Sequence, residues 1–229
     1  MKSKTRENPL FNLFFNVVAP SIILIKFSSA ETLGPIFGFV VALFFPLSYG
    51  IFDFFSRQKW NFFSGLGLFS VILTGGIGLL KLSPSVLAIK EAAIPFFIGL
   101  VIFFAEKRFH FAEKMILNDE VFDTEKIKTA LKKNKSEKYF ERKIRVASFL
   151  LAGSFFFSAI LNFFLAKEIV KSPAGSPEFA AELGKMTALS YPVIVAPMMI
   201  FLIGILIFLF RALKTATGFG FLKLIREDR

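Results

Sequence analysis

The sequence contains no cysteine, and His110 is the one histidine among its 229 residues. The first absence excludes disulfides, thiolate metal sites and cysteine nucleophiles together. The second leaves too few imidazoles for a Ser-His-Asp triad or a histidine-rich zinc site, since His110 sits among the charges of a polar segment. We therefore expect no enzyme: no catalytic residue, no metal site and no cofactor. Acidic residues are scarce beside basic ones, 17 against 28, which gives a formal net charge of +11. The glycines of LTGGIGLL are not a phosphate loop, because they lie inside an apolar run with no Lys-Ser or Lys-Thr after them.

Apolar residues fill the space left by these absences. Hydrophobic residues make up 55% of the chain, phenylalanine accounts for 34 positions, and the mean hydropathy is +0.64, too apolar for an ordinary soluble domain. A spanning helix needs about 20 mostly apolar residues, and six such windows recur, at about 9–29, 35–55, 62–80, 84–105, 146–166 and 191–210. Asn8-Pro9, Gly34-Pro35 and Ser83-Pro84 suit helix starts. The fold expected is all-α, a polytopic membrane protein with six transmembrane helices, and its first partner is the lipid bilayer. The basic start MKSKTRENPLF is read as part of a retained first span, because no small-residue cleavage site follows an apolar region of suitable length.

Charge location gives the orientation. With six spans, the N-terminal segment, residues 56–61, residues 106–145 and the C-terminal segment share one side and hold 22 of the 28 lysines and arginines. The positive-inside rule puts that side, and both termini, in the cytoplasm. The basicity is thus a topology signal, and no nucleic-acid partner is expected. Residues 106–145 form a cytoplasmic loop with 12 basic against 8 acidic residues. Within it Asp123 or Thr124 caps a short helix with Ile127, Ala130 and Leu131 on one face, and EKYFERKIRVASF leads continuously into span five. The loop reads either as an amphipathic linker near anionic headgroups or as a docking surface for cytoplasmic partners. Residues 167–190 form a periplasmic loop in which Ser176-Pro177 starts a helix with Phe179, Leu183 and Met186 on one face. We expect it on the outer membrane surface, as a structured connector or a lid.

Three rows of polar or small residues at four-residue spacing occupy single helix faces. Asn8, Asn12 and Asn16 lie on span one; Ser70, Thr74 and Gly78 lie on span three beside Gly75 and Gly76; Ser154, Ser158 and Asn162 lie on span five. Small and hydroxyl residues let helices approach and hydrogen-bond, so Ser70, Thr74, Gly75, Gly76, Gly78, Ser154 and Ser158 are assigned to helix packing. Asp53 and Arg57 form an interfacial pair one turn apart. Prolines at 20, 46, 95, 192 and 197 interrupt four spans, and VVAP (17–20) resembles IVAP (194–197).

Lys90 and Glu91, in LAIKEAAIPFF, are the charges most in need of explanation. Adjacent helical residues point about 100° apart, so the two are expected to be poorly placed to neutralise each other. In a structural reading Lys90 snorkels to the outer surface and Glu91 pairs with Lys26 or Lys81. In a functional reading Lys90 and Glu91 line a polar site with Asn12, Asn16 and Asn162, where a carboxylate couples protons or holds a cation.

The blocks NPLFNLFFNVVAPSIIL, ILTGGIGLLKLSPSVLAIKEAAIPFFIGL and SPAGSPEFAAELGKMTALSYPVIVAP resemble recurring blocks of a bacterial inner-membrane family of poorly defined function. That family is distantly similar to the intracellular septation protein A family, through Gly75-Gly76, Ile89-Lys90 and Leu161-Asn162. Septation relatives usually follow Ile-Lys with an aromatic and a second lysine, where this chain has Glu91 and Ala92. The resemblance implies a multi-pass protein of the bacterial inner membrane, acting in envelope synthesis or cell division through membrane-protein partners. The alternative from the residues is a small-solute or lipid transporter built around Lys90 and Glu91.

Overall fold

The computed structural model describes residues 14–57, 69–70, 73–74, 76–77, 80–109 and 122–224, with the backbone alone for residues 16, 53–57, 107–109 and 221–222. Most of the third predicted span, with Gly75 and Gly78, lies outside the described residues, as do Asn8, Asn12, His110 and the side chains of Asn16, Asp53 and Arg57. Among the described residues, seven α-helices follow one another: α1 (Ala19–Phe27), α2 (Gly34–Arg57), α3 (Pro84–Phe109), α4 (Thr124–Lys133), α5 (Glu137–Ile169), α6 (Pro177–Ser190) and α7 (Ala196–Thr217). A π-helical turn, Phe14–Val18, leads into α1, and a second, Tyr191–Val195, joins α6 to α7. No β-strand occurs among the described residues.

Among the described residues, four stretches are long and apolar enough to cross a membrane: Gly34–Phe52, Pro84–Glu106, Glu137–Ile169 and Pro177–Thr217. Large apolar side chains crowd their outer surfaces; Phe44 is 66% exposed, Phe97 62% and Ile200 72%. Surface of that kind, repeated along every long helix, is stable in lipid and not in water. The chain is a helical membrane protein. The last stretch is an unbroken 41 residues, about twice what a bilayer core requires. The helix expected in the periplasmic loop and the sixth span are therefore one continuous run.

The chain divides into two compact units. In the first, residues 1–94 and 160–195, α1 packs against α2 and α6, and the core gathers Leu24, Phe39, Leu87, Phe179, Leu183 and Met186. Ser176 caps α6 by accepting from Phe179 N at 3.1 Å, with Pro177 at the first position, so the predicted helix start is present. Its apolar row does not lie on a membrane surface, however. Phe179 and Leu183 are each 2% exposed because α1 offers them a packing partner closer than lipid, with Gly184 set against the backbone of Ser21.

The second unit holds residues 95–159 and 196–229. Asp123 caps α4, its carboxylate accepting from Lys126 N at 3.0 Å. Ile127 and Leu131 pack on Phe140 and Ile144 of α5 and on Leu209 and Leu213 of α7. Asn134 Nδ2 and Ser136 Oγ both donate to Ala216 O, at 3.0 and 2.7 Å, satisfying a carbonyl in the last turn of α7 that has no intrahelical donor. Lys126 Nζ donates to Lys223 O at 2.7 Å, and Asp123 N to Leu224 O at 2.9 Å. This strap corrects the linker reading of residues 122–136: the apolar face expected near headgroups is buried in protein, because α5 and α7 provide a complementary core.

Candidate functional site

The sequence places Lys90 and Glu91 on consecutive positions of α3, two turns beyond the Pro84 start that needs no backbone donor. Leu87 and Ala88, one turn before them, are fully buried and hold that face of α3 in the core of the first unit. Lys90 follows it inward, its side chain 7% exposed, while Glu91 is 20% exposed. Lys90 Nζ donates to Glu91 Oε1 at 2.9 Å and to Thr74 Oγ1 at 2.7 Å. Thr74 Oγ1 donates in turn to Ser70 O at 3.0 Å.

This geometry overturns the expectation that the neighbours cannot neutralise each other. The 100° between their Cβ directions is real, but the flexible four-carbon stem of lysine curls around the helix and brings the ammonium to the carboxylate. Lys26 and Lys81, the partners expected for Glu91, are both exposed, and Lys81 instead lays its stem 3.3 Å from where a Cβ on Gly175 would sit. Thr74, assigned from spacing to helix packing, is a ligand of the lysine as well as a back-bonded helix residue. An ammonium, a carboxylate and a hydroxyl thus form a chain of charge-assisted hydrogen bonds with no net charge. Chemically it can hold two helices in register, or exchange a proton between ammonium and carboxylate.

The remaining assigned residues are distributed differently. Asn162 is half-buried on α5 within the same unit, and Asn16 belongs to the first π-helical turn. Ser154 is buried and its hydroxyl donates to Leu151 O at 2.7 Å; Ser158 is likewise buried. No described atom lies within 4 Å of a Cβ built at Gly76. Close approach occurs elsewhere, at Gly38 against Ser28, at Gly99 against Phe156 and Ala152 O, and at Gly184 against Ser21 O and Leu24. At four-residue spacing Gly38 lies in a row of small residues with Gly34 and Ala42, and Gly184 in one with Ala180 and Ala188, whereas Gly99 has Pro95 and Phe103 at that spacing.

Two further carboxylates escaped the reading of the sequence. Glu106, counted as the first residue of the loop, is 2% exposed on α3, where Ser148 Oγ of α5 approaches Oε2 at 3.2 Å and Ile144 O at 3.1 Å. Its signal was its place immediately after the apolar window 84–105. Glu182 on α6 accepts from Lys171 N, Ser172 N and Ser172 Oγ, each at 2.9 Å, and closes the turn between α5 and α6. Nothing in the local pattern marks that long-range cap. No family model, curated protein or solved structure matches the chain.

Proposed function

We propose that this chain is a six-span protein of the bacterial inner membrane, with its N- and C-terminal segments in the cytoplasm, that supports envelope organisation or septation by binding membrane-protein partners and carries out no reaction itself. The resemblance to the family distantly similar to septation protein A supports the envelope role, and the concentration of basic residues in alternate loops supports the orientation. The observation that carries the scaffold over the transporter is the mutual neutralisation of Lys90 and Glu91 with Thr74. A coupling carboxylate has to exchange partners during transport. Here the carboxylate is tied to the adjacent residue on its own helix, an arrangement suited to a fixed part.

Two measurements test this reading. Deletion of the gene is expected to alter cell shape, septum position or sensitivity to envelope stress, with crosslinking recovering division or envelope-synthesis proteins; a normal envelope and no such partners would sink it. The cysteine-free chain also permits a direct probe. With Ile94→Cys, three residues past Glu91, a membrane-impermeant thiol reagent is expected to leave intact spheroplasts unlabelled while a cysteine introduced in residues 172–175 reacts. Labelling at position 94 would mean a water path past the pair and would favour transport.

A further inference from the structure

The N-terminal part of α5 presents two opposed faces. Phe140, Ile144, Ala147 and Leu151 point into the core of the second unit. On the other side, Lys138, Glu141, Arg142, Arg145, Val146 and Phe149 line an open groove, all within an arc of about 140°. The chemistry along that arc changes once. Three cations and one carboxylate occupy its first turns; then Val146 and Phe149, 40% and 38% exposed, begin the apolar run that continues through the span. Among the described residues, none of the three cations has a hydrogen-bond or ion-pair partner.

The switch from arginine to valine between positions 145 and 146 marks where α5 enters hydrocarbon. Lys143 supports that depth: its ammonium lies 5.3 Å from the ring centre of Tyr139 and 5.4 Å from that of Phe208, the amphipathic pairing of a headgroup zone. Lys143 is thereby engaged with protein, whereas Lys138, Arg142 and Arg145 face outward. The geometry points to this groove as a binding site for one anionic phospholipid. Arg142 and Arg145, one turn apart, present planar guanidinium forks to the phosphodiester oxygens, and Lys138 adds a third cation farther from the hydrocarbon. The first part of an acyl chain runs over Val146 and Phe149. Glu141 offsets one of the three cations, and the positive excess that remains is enough to hold the single negative charge of a phosphodiester. The site requires that α5 cross the membrane and is independent of any envelope role.

Native mass spectrometry of the detergent-solubilised full chain, incubated with phosphatidylglycerol and phosphatidylcholine at equal concentration, tests the assignment. Wild type is expected to retain one phosphatidylglycerol in clear preference. Arg142→Gln with Arg145→Gln should reduce that preference by about 30-fold, the factor for two basic residues beside an anionic headgroup. Arg142→Lys with Arg145→Lys should recover most of it. Lys132→Gln with Lys135→Gln removes equal charge from exposed positions outside the groove and should leave retention unchanged. Equal retention of the two lipids by wild type, an unaltered preference in the glutamine double variant, or an equal loss in the Lys132/Lys135 control would overturn the site. Displacement by glycerol phosphate as effective as by the lipid would overturn the acyl contact and hence the phospholipid.

Discussion

Lys90 is stabilised in the membrane by two specific partners, and each can be removed separately. Glu91→Ala leaves a buried ammonium with Thr74 alone and is expected to destabilise the folded protein by about 3 kcal/mol. Replacing both charges, Lys90→Met with Glu91→Leu, is expected to cost less than about 1 kcal/mol, because no uncompensated charge remains. Denaturation in mixed micelles measures both, and equal losses in the single and double variants would disprove the pair. Glycine positions give a second residue-scale contrast. A methyl at Gly184 would meet Ser21 O at 3.0 Å and Ile25 Cγ1 at 2.9 Å, whereas one at Gly153 meets nothing within 4 Å. Gly184→Ala is therefore expected to cost about 1–3 kcal/mol. Gly153→Ala should be neutral or slightly stabilising in the same assay, through its better helix propensity. The charges were legible in the sequence as a problem; their solution was not, because it depends on a lysine rotamer and on a threonine from another predicted span.

Among the elements, α6 shows which features local sequence controls. Its start was readable from Ser176-Pro177, since a serine oxygen and a proline that lacks N–H satisfy the first turn wherever the helix lies. Its packing and the closure of the turn before it depend on Glu182, 10 residues from Ser172. Glu182→Gln is expected to weaken the three bonds it accepts and to speed hydrogen exchange at the amides of Lys171 and Ser172, while protection within α6 stays unchanged. Exchange at those two amides that matches wild type would show that the carboxylate does not hold the turn. The VVAP and IVAP segments also gain meaning here. Each places a π-helical turn immediately before Ala-Pro, at Phe14–Val18 and at Tyr191–Val195. Pro20 and Pro197 cannot donate to the carbonyl four residues back, and widening of the preceding turn relieves the clash of the ring with that carbonyl. Pro46 and Pro95 sit within α2 and α3, where the assigned helix continues through them.

For the whole molecule, the apolar windows and loop charges predict an orientation that fusions can check. A fluorescent protein at the C-terminus is expected to be bright in cells, and alkaline phosphatase inserted in residues 172–175 active; the reverse pattern would overturn the six-span arrangement. The strap formed by residues 122–136 belongs to this scale as well. It was read as a linker because its amphipathic pattern is the same whether the apolar face meets lipid or protein. Only the presence of Leu209, Leu213 and Leu224 beside Ile127 and Leu131 decides between those solvents.

Hydropathy, residue counts and cap chemistry by themselves determined that this chain is a helical membrane protein, where α6 and α4 begin, and that two charges inside α3 need compensation. Those properties follow from the chain's immediate solvent and from backbone groups within a few residues, so they can be read in one dimension. Tertiary structure alone decided that Lys90 turns to Glu91 and Thr74, that Gly184 and Gly99 make the close approaches, and that Glu106 is buried beside Ser148. Each of these is a contact between distant or alternatively oriented side chains, and its free energy depends on atoms that the local sequence does not name.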